Sequence, residues 1–135
     1  MNSLRAIIAA CSGILALSLP LAALATPGPA AQDEIDHLLS YVASSSCTFV
    51  RNGSEYGPVK ARDHLADKYR FAGNRISTAE EFIEYLATKS SFSGAPYHVH
   101  CGKDDQLSGA WLTAELKRYR SAPHLTPISH ENGVK

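Results

Sequence analysis

The chain lacks the short signatures that usually announce an activity. It has no CxxC pair, no GxSxG turn and no run of basic residues. Without CxxC there is no thioredoxin-like redox centre. Without a nucleophile elbow or a recognisable oxyanion loop, no serine is marked out as catalytic. Without clustered Lys and Arg, nucleic acid is not an expected partner, and no polybasic amphipathic stretch is present to hold an anionic membrane. No internal repeat occurs. Cysteine is scarce, with Cys11, Cys47 and Cys101 the only three.

What is present begins with a leader. After "MNSLR" the chain is uncharged from Ala6 to Ala25, and Ala23-Leu24-Ala25 supplies the small-x-small pattern of a cleavage site. A short basic start, an apolar stretch and that ending describe a secretory signal peptide over residues 1–25. An uncleaved anchor is the alternative, since such a stretch would just span a bilayer. Pro20 and the alanine-rich end favour cleavage. Cys11 sits in mid-stretch, not beside the cleavage point, so no lipid anchor is expected. No second hydrophobic span follows, so the expected product is periplasmic and has no stable membrane anchor. Cleavage would leave 110 of the 135 residues, Thr26 to Lys135. Taking Arg5 from the thirteen basic residues leaves twelve against thirteen acidic ones, a formal charge of −1 that selects no partner.

Export sets the chemistry of the remaining cysteines. An even pair in a small domain in an oxidising compartment reads as a disulfide. Joining Cys47 to Cys101 would close a loop of 54 residues and add about 4 kcal/mol in the chain-entropy model. The rival reading is a reactive thiol, and nothing beside either cysteine resembles a redox motif.

The rest of the pattern predicts an α+β fold, a mostly helical single domain over residues 33–120 with about four short helices, a small antiparallel sheet and one disulfide. "TPGPAAQ", residues 26–32, reads as a flexible lead-in. Asp33 would cap a helix carrying Ile35, Leu38, Leu39 and Val42 at i, i+3, i+4 and i+7. "CTFV" and "SEY" read as strands joined by Asn52-Gly53, the dipeptide of a tight hairpin turn. Gly57-Pro58 opens a helix with Ala61, Leu65, Tyr69 and Ala72 as its seam. Ser77 with Glu80, or Thr78 with Glu81, would form a capping box. Ala79, Phe82, Ile83 and Leu86 follow as a buried stripe, and Lys89-Ser90-Ser91 would end that helix. "FSGAPYHVHC" reads as a loop and strand, "GKDD" as a turn, and Ser108 as the cap of a helix carrying Trp111, Leu112, Leu116 and Tyr119. Residues 121–135 have two prolines and no periodicity, which predicts a disordered tail. Pairing "CTFV" with "YHVHC" would bring the two cysteines together.

Three groups of residues can be weighed for chemistry. His98 and His100 would share one face of a strand, but a zinc site needs three or four ligands, so a solvent-facing pair is the simpler reading and no metal is expected. His64 and Lys68 stand one helical turn apart beside a buried seam, where a lowered pKa is expected; such residues more often border a core and bond to a loop. Lys89 beside Ser90 and Ser91 could supply a base and a nucleophile or simply cap helix carbonyls. No motif calls for a cofactor.

Several separated stretches carry a resemblance. "FVRNGSEY", then "HL..KY", then "TAEEFIEYLATKSSFSGAPY" is similar to the YfeK-like family of small exported Gram-negative proteins, a domain of unknown function. The likeness runs from about Asp33 to Arg120. Matching positions are Arg51, Asn52, Gly53, His64, Leu65, Lys68, Phe82, Ile83, Ser90, Ser91, Gly94, Pro96 and Tyr97. The HxHC run is less typical of the family and lowers the metal reading further. The resemblance implies a periplasmic location and a shared fold, and it implies no activity.

Within that set, Gly53 and Gly94 are turn residues, and Leu65, Phe82 and Ile83 are core. Arg51, Asn52, His64, Lys68, Ser90, Ser91 and Tyr97 are polar and lie on loops or helix flanks, where binding residues concentrate. If the hairpin tip and the "KSSFSGAPY" loop meet beside the second helix, these seven form one polar cleft. An Arg and a Lys there could hold a carboxylate from a peptide end or a cell-wall fragment. The leading expectation is a non-catalytic binding or accessory module for an envelope component. An envelope hydrolase using Ser90 or Ser91 with Lys89 or His64 is the second, and a purely structural envelope protein the third.

Overall fold

The computed structural model describes residues 26–123. The signal-peptide expectation for residues 1–25, and the tail expectation beyond residue 123, lie outside the described residues. The element order is α1 (Pro29–Ser44), β1 (Thr48–Arg51), β2 (Ser54–Tyr56), α2 (Pro58–Ala72), a 3-10 turn (Gly73–Arg75), α3 (Ala79–Glu81) continuing into a π-helix (Phe82–Ala87), β3 (His98–Cys101), β4 (Asp104–Leu107) and α4 (Ser108–Ser121). This is a mixed α+β fold with a four-stranded antiparallel sheet and a Cys47–Cys101 disulfide.

The sheet order is β2-β1-β3-β4. Asn52 and Gly53 both take positive φ, 51° and 77°, as a two-residue loop between β1 and β2 requires. The register sets Phe49 opposite Tyr56 on one side and Val99 on the other. Strand alternation then puts Cys47, Phe49 and Arg51 on the inner face, with Tyr97, Val99 and Cys101. Phe49 and Val99 are buried in the core with Ile35, Leu38 and Val42 of α1, Leu65 of α2, Phe82, Ile83 and Leu86 of the third helical segment, and Trp111, Leu112 and Leu116 of α4. Every position expected on the α1 and π-helix stripes is buried or packed against this core. Each large apolar side chain so placed contributes about 1.5–3 kcal/mol.

At four places the structure corrects a boundary expectation or, at the start of α3, decides between two that were open. First, α1 starts at Pro29, not at a cap on Asp33, so residues 29–32 are helical and not part of a lead-in. Gly28 precedes Pro29 as Gly57 precedes Pro58, and both prolines sit in a first turn whose N–H groups need no helical partner. Second, Thr78 is the cap of α3: its Oγ1 accepts from the Glu81 amide, while the Glu81 carboxylate accepts from the Ser77 amide, 2.6 Å away. Glu80 instead joins Glu34 in binding Arg120, which ties α4 to α1 and α3.

Third, the helical segment ends at Ala87, so Lys89-Ser90-Ser91 lies in the loop beyond it, with Lys89 bridged to Pro96. The wider π turns let the Thr88 hydroxyl donate to the Ile83 carbonyl at 2.8 Å. Gly109 of α4 packs so closely there that an added Cβ would lie 2.6 Å from the Thr88 Oγ1. Fourth, "GKDD" is not all turn. Only Gly102-Lys103 turns, and Asp104–Leu107 is an exposed strand paired with β3. Its charged, non-alternating sequence suits a sheet edge and gives no periodic signal. Leu107 takes the cap position, and Ser108 is a buried first-turn residue whose amide donates to the Tyr97 carbonyl. At the C-terminal end α4 takes in Ser121, the first residue of the expected tail.

The disulfide gives a direct test of this frame. Cys47→Ser should leave the circular dichroism shape intact and lower stability by about 4 kcal/mol, the value for closing a loop of this length. Urea unfolding with and without reductant measures it. Equal stability of the two forms would contradict the role assigned to the bridge.

Candidate functional site

Strand β1 delivers Arg51 to the inner face, next to α2. Extending the β1–β3 register by one pair sets Arg51 opposite Tyr97. His64, on the first turns of α2, lies between them. Arg51 Nη1 is 2.8 Å from His64 Nδ1 and 3.0 Å from Nε2, and Arg51 Nη2 donates to the Tyr56 hydroxyl at 3.1 Å. Its guanidinium also sits 4.8 Å above the Tyr56 ring. Burial, helped by the positive charges of Arg51 and Lys68, holds the His64 pKa below its ordinary 6.5, so the ring is neutral at pH 7. A neutral ring has one acceptor nitrogen. The network assigns Nδ1 as acceptor from Arg51 and Nε2–H as donor to the Tyr97 hydroxyl, 3.3 Å away. The Arg51 hydrogen bond lowers the Tyr56 pKa, whereas burial raises that of Tyr97.

Tyr97 is the junction of the cluster. Its hydroxyl meets His64, the Lys68 ammonium at 3.5 Å, and Ser90. Lys68 also donates to the Leu86 carbonyl at 2.6 Å and the Lys89 carbonyl at 3.1 Å. An ammonium has three N–H donors, so Lys68 is fully committed to holding the end of the π-helix and the loop after it. Burial and the nearby Arg51 bring its pKa down to about 8. Ser90, buried, accepts from Asn52 Nδ2, from the Phe92 amide and from the Ser93 amide, each at 3.3 Å. Ser93 in turn donates to Asn52 Oδ1 at 2.6 Å. The hairpin tip is thereby clasped to the 90–94 loop.

Six of the seven polar residues singled out in the sequence thus form one connected network, and they divide by task. Arg51, His64 and Tyr97 front a cleft of about 280 Å³, walled also by Phe49, Tyr56 and Lys60. Asn52, Ser90 and Lys68 hold loops. Ser91 is exposed, stands outside the network and lines a neighbouring groove. Neither Ser90 nor Ser91 is hydrogen-bonded to an imidazole or ammonium among the described residues, so neither has the base that activates a nucleophile. Tyr56, Lys60 and Ser93 were not singled out. Tyr56 was legible in principle, because strand alternation puts the third residue beyond an Asn-Gly turn on the same face as the residue before the turn, here Arg51.

The charge balance of the cleft is distinctive. Two aspartates line it, but Asp63 is turned to Arg62 and Asp67 to Arg70. Arg51 has no carboxylate partner among the described residues. Its bonds to His64 and Tyr56 leave Nε–H and one Nη2 N–H without a partner among the described residues, donors of the kind that grip a carboxylate. On the opposite face of the sheet, His98 Nδ1 and His100 Nε2 lie 3.1 and 3.3 Å from one Asp105 oxygen. No group of three or more His, Cys, Asp or Glu able to hold a metal ion occurs among the described residues.

The family described as "Family of unknown function (DUF5329)" matches residues 29–120. A Salmonella typhimurium protein described as "Uncharacterized protein YfeK" is 39% identical over 85 residues, covering 62% of this chain and 71% of that protein. No solved structure matches.

The neutral state of His64 has a measurable consequence. Its folded pKa is depressed, so below pH 6.5 the unfolded chain takes up a proton that the folded ring resists. This group therefore costs nothing above that pH and removes stability as the pH falls below it. Urea unfolding between pH 7.5 and 5 should show a steeper loss for the natural protein than for His64→Gln. Equal slopes, or a gain on acidification, would contradict the assignment.

Proposed function

The chain belongs to the DUF5329 family of unknown function, and from that premise we propose a non-catalytic binding module of the periplasm that holds a carboxylate-bearing envelope component. The observation that carries this reading is the Arg51 guanidinium. It is half-buried in a concave site, fixed by two neutral partners, His64 and Tyr56, and keeps Nε–H and one Nη2 N–H open. A cation drawn partly out of water is favoured by a nearby anion, and this one has no carboxylate partner among the described residues. Preorganisation adds to the effect, because the stack on Tyr56 and the bond to His64 restrict the fork before any ligand arrives. Lys60, at the same cleft, supplies a second positive charge.

The location rests on the apolar leader and is supported by the Cys47–Cys101 bridge, since disulfides persist where the surroundings are oxidising. No helix of the described residues is long and apolar enough to cross a membrane. A peptide terminus or a cell-wall fragment suits the cleft, since both offer carboxylates. The structural reading draws on Lys68, Asn52 and Ser90, whose polar atoms are spent on holding loops. It does not account for Arg51.

Arg51→Ala separates the two. N-acetylglycine should raise the melting temperature of the natural protein, and N-acetylglycinamide should not. The variant should lose that shift while losing only about 1–2 kcal/mol of stability, the worth of its bonds to His64 and Tyr56. Retained binding would refute the proposal. A much larger loss of stability would make Arg51 a scaffold residue instead.

A further inference from the structure

A second groove opens on the far side of His64. Its volume is about 600 Å³, and it shares His64 and Asp67 with the Arg51 cleft, so the two adjoin along α2. Phe71, Arg75, Tyr85, Leu86 and Ser91 wall it. Two of these are large aromatics left open to solvent, Phe71 at 84% and Tyr85 at 57% exposure. Exposed aromatics gathered at a concave surface mark contact sites more often than isolated surface residues do. The Phe71 wall is also prebuilt. Arg75 donates to the Phe71 and Ala72 carbonyls, both at 3.0 Å, and its guanidinium lies 5.6 Å from the Phe71 ring centre.

We propose that this groove receives the bulky apolar last side chain of a peptide whose free C-terminal carboxylate lies on Arg51. The inference rests on the carboxylate reading of the Arg51 cleft and adds the class of ligand. Three observations favour that occupant. Arg51, Lys60 and Arg75 give the combined surface a positive character, and its aspartates are turned to Arg62 and Arg70. A groove with an apolar wall adjoining a cleft that holds an arginine with open donors matches a carboxylate and an apolar group on one residue, the chemistry of a hydrophobic C-terminal residue. The polar groups of Ser91 and Arg75 line this groove together with Phe71, Tyr85 and Leu86. Peptide amides can bond to such groups, whereas an acyl chain needs an unbroken apolar tunnel.

The test compares four probes on the full chain by isothermal titration calorimetry: acetyl-glycyl-glycyl-phenylalanine, its C-terminal amide, acetyl-glycyl-glycyl-serine and laurate. The phenylalanyl acid should bind about tenfold more tightly than either the amide or the seryl acid, the factor given by roughly 1.4 kcal/mol of differential interaction. Phe71→Ala and Tyr85→Ala remove exposed side chains, so both variants should fold, which a melting curve verifies. Each should bring the phenylalanyl acid down to the affinity of the seryl acid and leave the seryl acid unchanged. Equal binding of the two acids, dependent on Arg51 but not on Phe71, would overturn the groove assignment and leave the carboxylate reading standing. Laurate binding more tightly than the phenylalanyl acid, with the same dependence on Phe71, would overturn it in favour of a lipid. If no acid binds, the carboxylate reading falls with it.

Discussion

The antiparallel pairing of β1 with β3 is the constraint on which the rest of the molecule depends. These strands are separated by α2 and the π-helix, so their alignment must close a long loop before any contact rewards it. The buried pair Phe49 and Val99 sets the register from within, and the Cys47–Cys101 bridge fastens one end. Because side chains alternate along a strand, this single register puts Arg51 and Tyr97 on the inner face and His98 and His100 on the outer one. A slip of one residue would turn Arg51 to solvent and carry Phe49 out of the core. The site is therefore a consequence of the sheet and not an addition to it.

The polar network beneath the cleft solves a second problem. A π-helix ends in carbonyls that the regular helical ladder does not satisfy. Lys68 reaches across from α2 to bind one such carbonyl, that of Leu86, together with the Lys89 carbonyl in the loop beyond, and Thr88 binds that of Ile83. Beyond that point Ser90 and Asn52 tie the loop to the hairpin. With those obligations met by Lys68, Asn52, Ser90 and Thr88, the Arg51 fork is left with donors that no described residue takes. A partition of this kind, with loop-holding groups engaged and one cation open, is what a binding site held on a rigid frame requires.

Much of this was legible in the chain. Asn52-Gly53 fixed the hairpin, because few other dipeptides take two positive φ values. The stripes of α1, α2 and the third helical segment were plain in their spacing, and the even cysteine pair gave the bridge. The start of α1 was legible too, in the same Gly-Pro step that opens α2, but Asp33 offered a competing cap. Strand β4 was not legible, since an edge strand as polar as "DDQL" has no alternation and owes its pairing to β3. The end of the third helical segment was hidden for a similar reason. It depends on the contact of Thr88 with Gly109, twenty-one positions away in the sequence. For the candidate site, residue type pointed to side chains that the fold does bring together, but only geometry could divide them into loop-holding groups and an arginine with open donors. Lys68 and Arg51 look alike as cations in a sequence, and their hydrogen bonds give them opposite tasks.

The account's central claim is that Arg51 keeps a carboxylate-binding fork open. The most direct measurement is a nuclear magnetic resonance titration of the arginine Nε–H signals with acetate. The account predicts a saturable shift at Arg51, accompanied by His64 and Tyr56, while Arg62 and Arg70 stay nearly still. An unmoved Arg51 signal, or a shift shared equally by the surface arginines, would contradict it.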